Sequence, residues 1–331
     1  MTFALTQRAT RRQALVLGAS ALAAPAFAET WPAHPVRMII PFTPGGSSDV
    51  LGRALSDVLG RALGQPVVID NVPGAGGSLG AEKAARSPAD GYTLFMGHIG
   101  TLAVNPALYP KLGYDPLRSF TPVAWVARVP NVLVVHPSVP ANTLRELVAY
   151  AKAHPGKLAY GSGGSGSAAH TTMEYFKMQT GTSFLHIPYR GTAPSVQDLL
   201  AGQVQVLFTG VPALLPQIKA GRMRALAVSS PRRLAVLPDV PTVAESGIPG
   251  TQGFEADQWY GLVAPAGTPP EIVARLNQEV NKALALDEVR VRLAAEGAEP
   301  TPTTPQAFGQ LIAREIPRWD KVVKAARIHL D

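Results

Sequence analysis

Apolar residues along this chain follow two alternating patterns. Short runs rich in β-branched residues predict buried strands: Val36–Ile40, Val67–Asp70, Thr93–Met96, Lys157–Tyr160, Phe184–Pro188, Val204–Thr209 and Arg224–Ser229. Between them, apolar positions recur at helical spacing over Val50–Leu63, Ser78–Arg86, Ala168–Thr180, Ser195–Ala201 and Pro212–Ala220. Thr143 predicts the cap of a further helix that runs to about His154. The last third adds a Trp-bearing strand, Gln258–Val263, and two long helices near Pro270–Ala285 and Pro305–Ala326. Strand and helix signals that alternate in this way predict an α/β fold with mostly parallel sheets.

Two apolar stretches are long enough to cross between lobes: Val123–His136 and Arg224–Ser229. They divide the chain into a first lobe over 29–129 and 229–331 and a second over 130–228. No low-complexity linker separates these parts, so a hinge of short strands fits better than a flexible tether.

The first 28 residues stand apart from this pattern. They carry Arg8, Arg11 and Arg12 and no acid, then an apolar stretch from Ala14 to Ala24, then Ala26-Phe27-Ala28. That is the layout of an export signal cleaved after Ala28. Thr10-Arg11-Arg12-Gln13-Ala14-Leu15 is an imperfect twin-arginine motif, so the route is either twin-arginine or general secretion. An uncleaved anchor is disfavoured, because the apolar stretch is about half the roughly 20 residues that span a bilayer. The expected location is the periplasm.

The 331-residue chain has a net charge of +7. Three of its 30 basic residues and none of its 23 acidic ones lie in the leader, so the mature charge falls to +4. The basic residues are scattered, and no nucleic-acid partner is expected. A mild positive charge suits an anionic solute. There is no cysteine, which excludes disulfides, thiol catalysis and thiolate metal sites. The seven histidines show no H-x-x-x-H or H-E-x-x-H spacing, so no metal is expected either.

Chemistry concentrates in two glycine loops. Pro41-Phe42-Thr43-Pro44-Gly45-Gly46-Ser47-Ser48-Asp49 follows the first strand and opens a helix. Tyr160-Gly161-Ser162-Gly163-Gly164-Ser165-Gly166-Ser167-Ala168-Ala169-His170 repeats that arrangement downstream. A helix start leaves backbone N–H groups unpaired, which makes it a site for anions. Serine and threonine hydroxyls beside the glycines add neutral donors for a carboxylate, though loop serines can also simply satisfy turns.

Each sharper motif has a plainer alternative. Gly161-x-Gly163-x-x-Gly166 fits the dinucleotide fingerprint, but the next strand ends in Tyr189-Arg190 without the acid that would hold a ribose. Gly76-x-Ser78-x-Gly80 fits a serine-hydrolase elbow, which is the rival reading. Its loop is long and contains Pro73, and nothing places His98, His170 or His186 beside Ser78, so a turn capped by Ser78 is the simpler account. Asp49 is a helix-start cap or a contact for a ligand amine, the cap being favoured. His170 is a ligand contact or a packing residue. Trp259 and Tyr260 belong more readily to the core than to a pocket wall.

The whole mature chain resembles the Bug-type substrate-binding proteins of tripartite tricarboxylate transporters. The resemblance rests on the two loops above and on Asn105-Pro106-Ala107-Leu108-Tyr109, Pro188-Tyr189-Arg190-Gly191 and Leu226-Ala227-Val228. Leu237-Pro238-Asp239-Val240-Pro241-Thr242-Val243-Ala244-Glu245 and Trp259-Tyr260-Gly261-Leu262-Val263-Ala264-Pro265-Ala266-Gly267-Thr268-Pro269 complete it. It implies a two-lobed periplasmic receptor of the type II binding-protein fold. Such a receptor is a monomer without a cofactor that hands a small organic acid to a membrane permease. Carried onto this chain, it implies ligand contacts from Thr43, Gly46, Ser47 and Ser48, and from Ser162, Ser165, Gly166, Ser167 and His170. Gly100, Thr101, Gly191 and Thr192 would line the cleft. The resemblance implies that many relatives carry an aspartate facing the ligand where this chain has Thr209. That departure implies a ligand without an amine: a dicarboxylate, a tricarboxylate or an aromatic carboxylate.

Overall fold

A computed structural model describes residues 31–330. The expected leader and its cleavage after Ala28 lie outside the described residues.

The chain builds two sheets. Strands β1 (Val36–Ile40), β2 (Val67–Asn71), β3 (Thr93–His98), β4 (Phe120–Val129), β10 (Gln258–Pro265) and β11 (Glu299–Pro300) form the first, in the order β11-β4-β10-β3-β1-β2. Strands β5 (Asn131–Val135), β6 (Ala159–Ser162), β7 (Leu185–Pro188), β8 (Val206–Gly210) and β9 (Arg224–Val228) form the second, in the order β7-β6-β8-β5-β9. The expected parallel bias holds where strands are joined through helices: β1 runs parallel to β2 and β3, and β6 parallel to β7 and β8. The strands beside the crossings add antiparallel pairs, so both sheets are mixed: β10 lies antiparallel to β3 and β4, and β5 to β8 and β9.

Helices cover both faces of each sheet, which is why the inner strands read as continuous apolar runs. On one face of the first sheet, Leu51, Leu55 and Leu59 of the helix Ser47–Leu63 pack with Leu276, Val280 and Leu293. On the other face, Ala81 and Ala84 pack with Phe308, Ile312 and Trp319. The second sheet is covered by Leu147, Met173 and Phe176 on one face and by Val196, Leu199 and Leu214 on the other.

The first crossing is a single residue, Pro130, between β4 and β5. The second differs from expectation. Arg224–Ser229 does not cross; its strand β9 is an edge of the second sheet. The chain then buries Val243, Ile248, Phe254 and Ala256 in the second sheet's core and reaches the first sheet only at Gln258. This segment is mostly turns and has no apolar period for a sequence pattern to reveal.

The two crossings are tied together. The Asn131 side-chain amide donates to the Ala256 carbonyl at 2.6 Å and to Thr172 Oγ1 at 3.0 Å. Its oxygen accepts from the Gln258 amide. Asn131 N–H donates to Ser229 Oγ, which in turn donates to Asp257 Oδ1 at 2.5 Å. Burial pushes the Asp257 carboxyl up, against the pull of Ser229 and Arg128, whose Nε lies 2.8 Å away. Among the described residues, no helix is long and apolar enough to cross a membrane.

Candidate functional site

Both glycine loops end strands of different sheets and open helices that point at the same place. The helix Ser47–Leu63 starts from Gly46, which has an extended backbone. The N–H groups of Asp49 and Val50 turn back to the Gly46 carbonyl, whereas those of Ser47 and Ser48 precede the first intrahelical bonds. The helix Ala168–Thr180 starts from Ser167, whose hydroxyl accepts from the His170 N–H. A third helix, Thr192–Leu200, begins beside them. Their first turns surround a narrow cavity lined by Gly46, Ser47, Ser48, Gly163, Ser167, Ala168, Ala169, Thr192 and Thr209, with Phe42, His98, Gln258 and Tyr260.

No charged side chain is part of that lining. An anion placed there would be attracted instead by helix N-termini and neutral donors. The cavity measures about 20 Å³, space for about one water. Small-molecule sites run to about 300–1,000 Å³, so a small molecule would fit there only if the surrounding elements moved apart. They meet now through the Tyr109 hydroxyl, which donates to the Ser165 carbonyl at 2.6 Å. Gly166 is part of the same contact: its φ is +85°, and a Cβ there would strike Asn105 Oδ1. Outside the contact, a groove of about 750 Å³ runs across both loops, lined by Thr43, Ser165, Tyr189 and Arg190 among others.

The structure sorts the expected site residues by position. Gly46, Ser47, Ser48, Ser167, Thr192 and Thr209 line the inner cavity, whereas Thr43 and Ser165 line the outer groove. Gly100, Thr101, Ser162, Gly166, His170 and Gly191 line neither. Several of these six brace the loops. Ser162 Oγ lies 2.7 Å from His186 Nε2 and accepts from the Gly164 N–H. His170 Nδ1 accepts from the Gly166 N–H, and its ring stacks on His186 at 4.2 Å. Thr101 bonds His98 through both its backbone and its hydroxyl. Gly191 lies where a Cβ would strike Thr43 Oγ1.

Asp49 is neither the helix cap nor part of the cavity lining. It is buried and accepts from the Gly45 N–H at 3.0 Å, Arg53 Nε at 2.9 Å and the Asn71 amide at 3.1 Å. Burial opposes its charge, but these donors outweigh burial and hold the carboxyl below its ordinary range. Ser78 is buried, and its hydroxyl accepts from the Asn105 amide at 2.9 Å rather than meeting an imidazole, so the elbow lacks its base.

Sequence reasoning did not assign seven lining residues: Phe42, Gly163, Ala168 and Ala169, which lie within the two glycine loops, and His98, Gln258 and Tyr260, which lie outside them. His98 ends β3 and is paired across the sheet with Tyr260 of β10, so both project on one face. Trp259, the next residue, points to the opposite face and packs edge-on against Phe308. The Tyr260 hydroxyl donates to Gln258 Oε1 at 2.5 Å, and burial raises its pKa. The available signal was position, since ligands of α/β sheets gather beyond strand C-termini. The strand expected over Thr93–Met96 runs on to His98 and is followed by a π-helical turn, Gly100–Val104, of the kind that often marks functional sites.

Comparison with known proteins bears on the family and the fold. The profile of the family described as "Tripartite tricarboxylate transporter family receptor" matches residues 51–328. Protein BugT of Bordetella pertussis is 43% identical over 311 residues, covering 94% of each chain. The solved structure of R. palustris Rpa4515 with adipate is 41% identical, with a TM-score of 0.88 over 91% of this chain and 100% of that one. MatC from Rhodopseudomonas palustris with bound malate is 36% identical, with a TM-score of 0.84 over 88% of this chain and 100% of that one. The two-sheet α/β architecture is that of periplasmic binding proteins. By profile, sequence and fold together, this chain belongs to the tripartite tricarboxylate transporter receptor family.

Proposed function

We propose that this protein is a periplasmic receptor that closes two lobes on a small dicarboxylate and delivers it to a membrane permease. The observation that carries this reading is the convergence of helix N-termini from two separate sheets on one cavity without a charged side chain. A carboxylate held there accepts from the backbone of Ser47, Ser48, Ala168 and Ala169 and from nearby hydroxyls. Each such bond to a charged group contributes about 1.5–3 kcal/mol. The relatives solved with adipate and malate support the dicarboxylate class. The family, with the export signal expected from the sequence, supports the periplasm and the permease.

The lobes hinge at Pro130 and at Asp257, so the segment between β9 and β10 moves with the second lobe. The first lobe then combines residues from 29 to 129 with those from Gln258 onward. One chain supplies both jaws, so a monomer suffices. The ligand carries no amine: Thr209 lies in the cavity lining, and no carboxylate there could compensate a buried ammonium, which costs several kcal/mol to desolvate.

A thermal-shift screen of the mature protein tests this. Adipate, malate, tricarboxylates and aromatic acids form one arm, and aspartate and glutamate the other. Stabilisation by members of the first arm alone is expected, about 2.7 kcal/mol at 100 times the Kd. A response only to the amino acids would refute the amine-free class, and no response to any acid would refute the receptor reading.

A further inference from the structure

His98 is buried at the end of β3, and its ring lines the inner cavity. Its hydrogen bonds fix the tautomer. The Thr101 N–H, which can only donate, points at Nδ1 from 3.1 Å. The Thr101 hydroxyl gives its single proton to the His98 carbonyl, also at 3.1 Å, so it has none for the ring. Nδ1 is therefore an acceptor, and the ring proton resides on Nε2. The Tyr114 hydroxyl fixes this turn by donating to the Thr101 carbonyl at 2.7 Å.

The opposite edge of the ring faces the other lobe. A Cβ on Gly100 would lie 2.8 Å from both His98 Nε2 and the Gly166 carbonyl oxygen. The Cε1–Nε2 edge thus lies on the side of the ring toward Gly100 and the Gly166 carbonyl of the second glycine loop, beside the inner cavity that His98 lines. Phe42 packs edge-on against the ring at 4.8 Å, and Tyr260 lies tilted at 5.9 Å. Tyr260 is the one other titratable group lining the cavity.

We propose that His98 is a ligand-binding residue whose neutral Nε2–H donates to a carboxylate oxygen of the bound acid. The assignment rests on the carboxylate-receptor reading and adds to it a side-chain donor from the first lobe that lies outside both glycine loops. It also adds a property. Burial pushes the His98 pKa down to about 3, so the ring remains a neutral donor throughout the physiological range. Acid binding then takes no proton from His98, and its strength at this contact stays level from pH 5.5 to 8. An ordinary histidine at the same place would tighten the complex as pH fell through about 6.5.

Two measurements on the mature protein test the assignment. The first is imidazole ¹⁵N NMR from pH 5.5 to 8, with and without adipate or malate. A non-titrating Nε2–H tautomer is expected, with its Nε2–H signal displaced by the acid that binds. The second is calorimetry of His98→Phe and His98→Gln with the same acid. His98→Phe should weaken binding about 10- to 100-fold, whereas His98→Gln, which places an amide N–H near Nε2, should recover most of the loss. An Nδ1–H tautomer, or titration near the ordinary value, would overturn the assignment even if His98→Phe failed to fold. Binding of acid with no change at Nε2–H and no loss in His98→Phe would overturn His98 while leaving the receptor reading intact. Absence of any stabilisation by either acid would remove the dicarboxylate class and this contact with it.

Discussion

The two glycine loops present the same face to the cavity but are held from behind by different chemistry. The first is pinned by charge: Asp49 gathers the Gly45 N–H, Arg53 and the Asn71 amide into one cluster. The second is pinned without a carboxylate at the loop itself. Ser162 meets His186, His170 accepts from Gly166, and the two imidazoles stack. Under the proposed function, the shared front supplies what anion binding requires, namely exposed helix N-termini and hydroxyls. The different backs show that many braces can supply it. A carboxylate placed behind the first loop remains compatible with an anion in front only because its own donors neutralise it.

The largest contrast lies in the glycines. Gly166→Ala forces a side chain into a left-handed backbone and against Asn105, which should cost about 3 kcal/mol in urea unfolding and abolish measurable acid binding. Gly46→Ala, with φ −83° and only ordinary contacts around an added Cβ, should cost about 1 kcal/mol or less. Equal losses would show that the two loops are not built differently.

The braces should differ next. Asp49→Ala removes the acceptor of the Gly45 N–H and one of the two acceptors of the Asn71 amide, which keeps the Phe42 carbonyl, a cost of about 1–2 kcal/mol in chemical denaturation. Arg53 is half exposed and adds little. The folded pKa of Asp49 lies below its unfolded value. Its contribution is therefore complete above about pH 4 and is lost as pH falls through the folded pKa. The stability gap between wild type and Asp49→Ala should accordingly shrink in acid, and a gap that widened there would contradict the pinned-carboxylate account. The smallest effect is expected for Ser162→Ala, about 1 kcal/mol.

Much of this was legible in the sequence, for local reasons. The helix Ala168–Thr180 has the expected bounds because Ser167 caps it and Gly181 ends it in a left-handed turn. Thr143 caps its helix as expected, accepting from the Glu146 N–H. The loop hydroxyls at Ser47, Ser48 and Ser167 were found because glycine and serine at a helix start are a local signal. What stayed hidden depends on distant partners. Asn71 and His186 become braces only when other strands carry them to the loops. His98 and Tyr260 share a face only because β3 and β10 pair. The helix Asp287–Ala295 was missed because a single residue, Leu286, separates it from the preceding one.

The central claim is that the cavity selects negative charge with neutral donors. Calorimetry of the mature protein with adipate and malate, each against its diamide at matched ionic strength, tests it most directly. At least one diacid should bind while its diamide shows no measurable heat. Equal binding of a diacid and its diamide, or tighter binding of the diamide, would contradict the account.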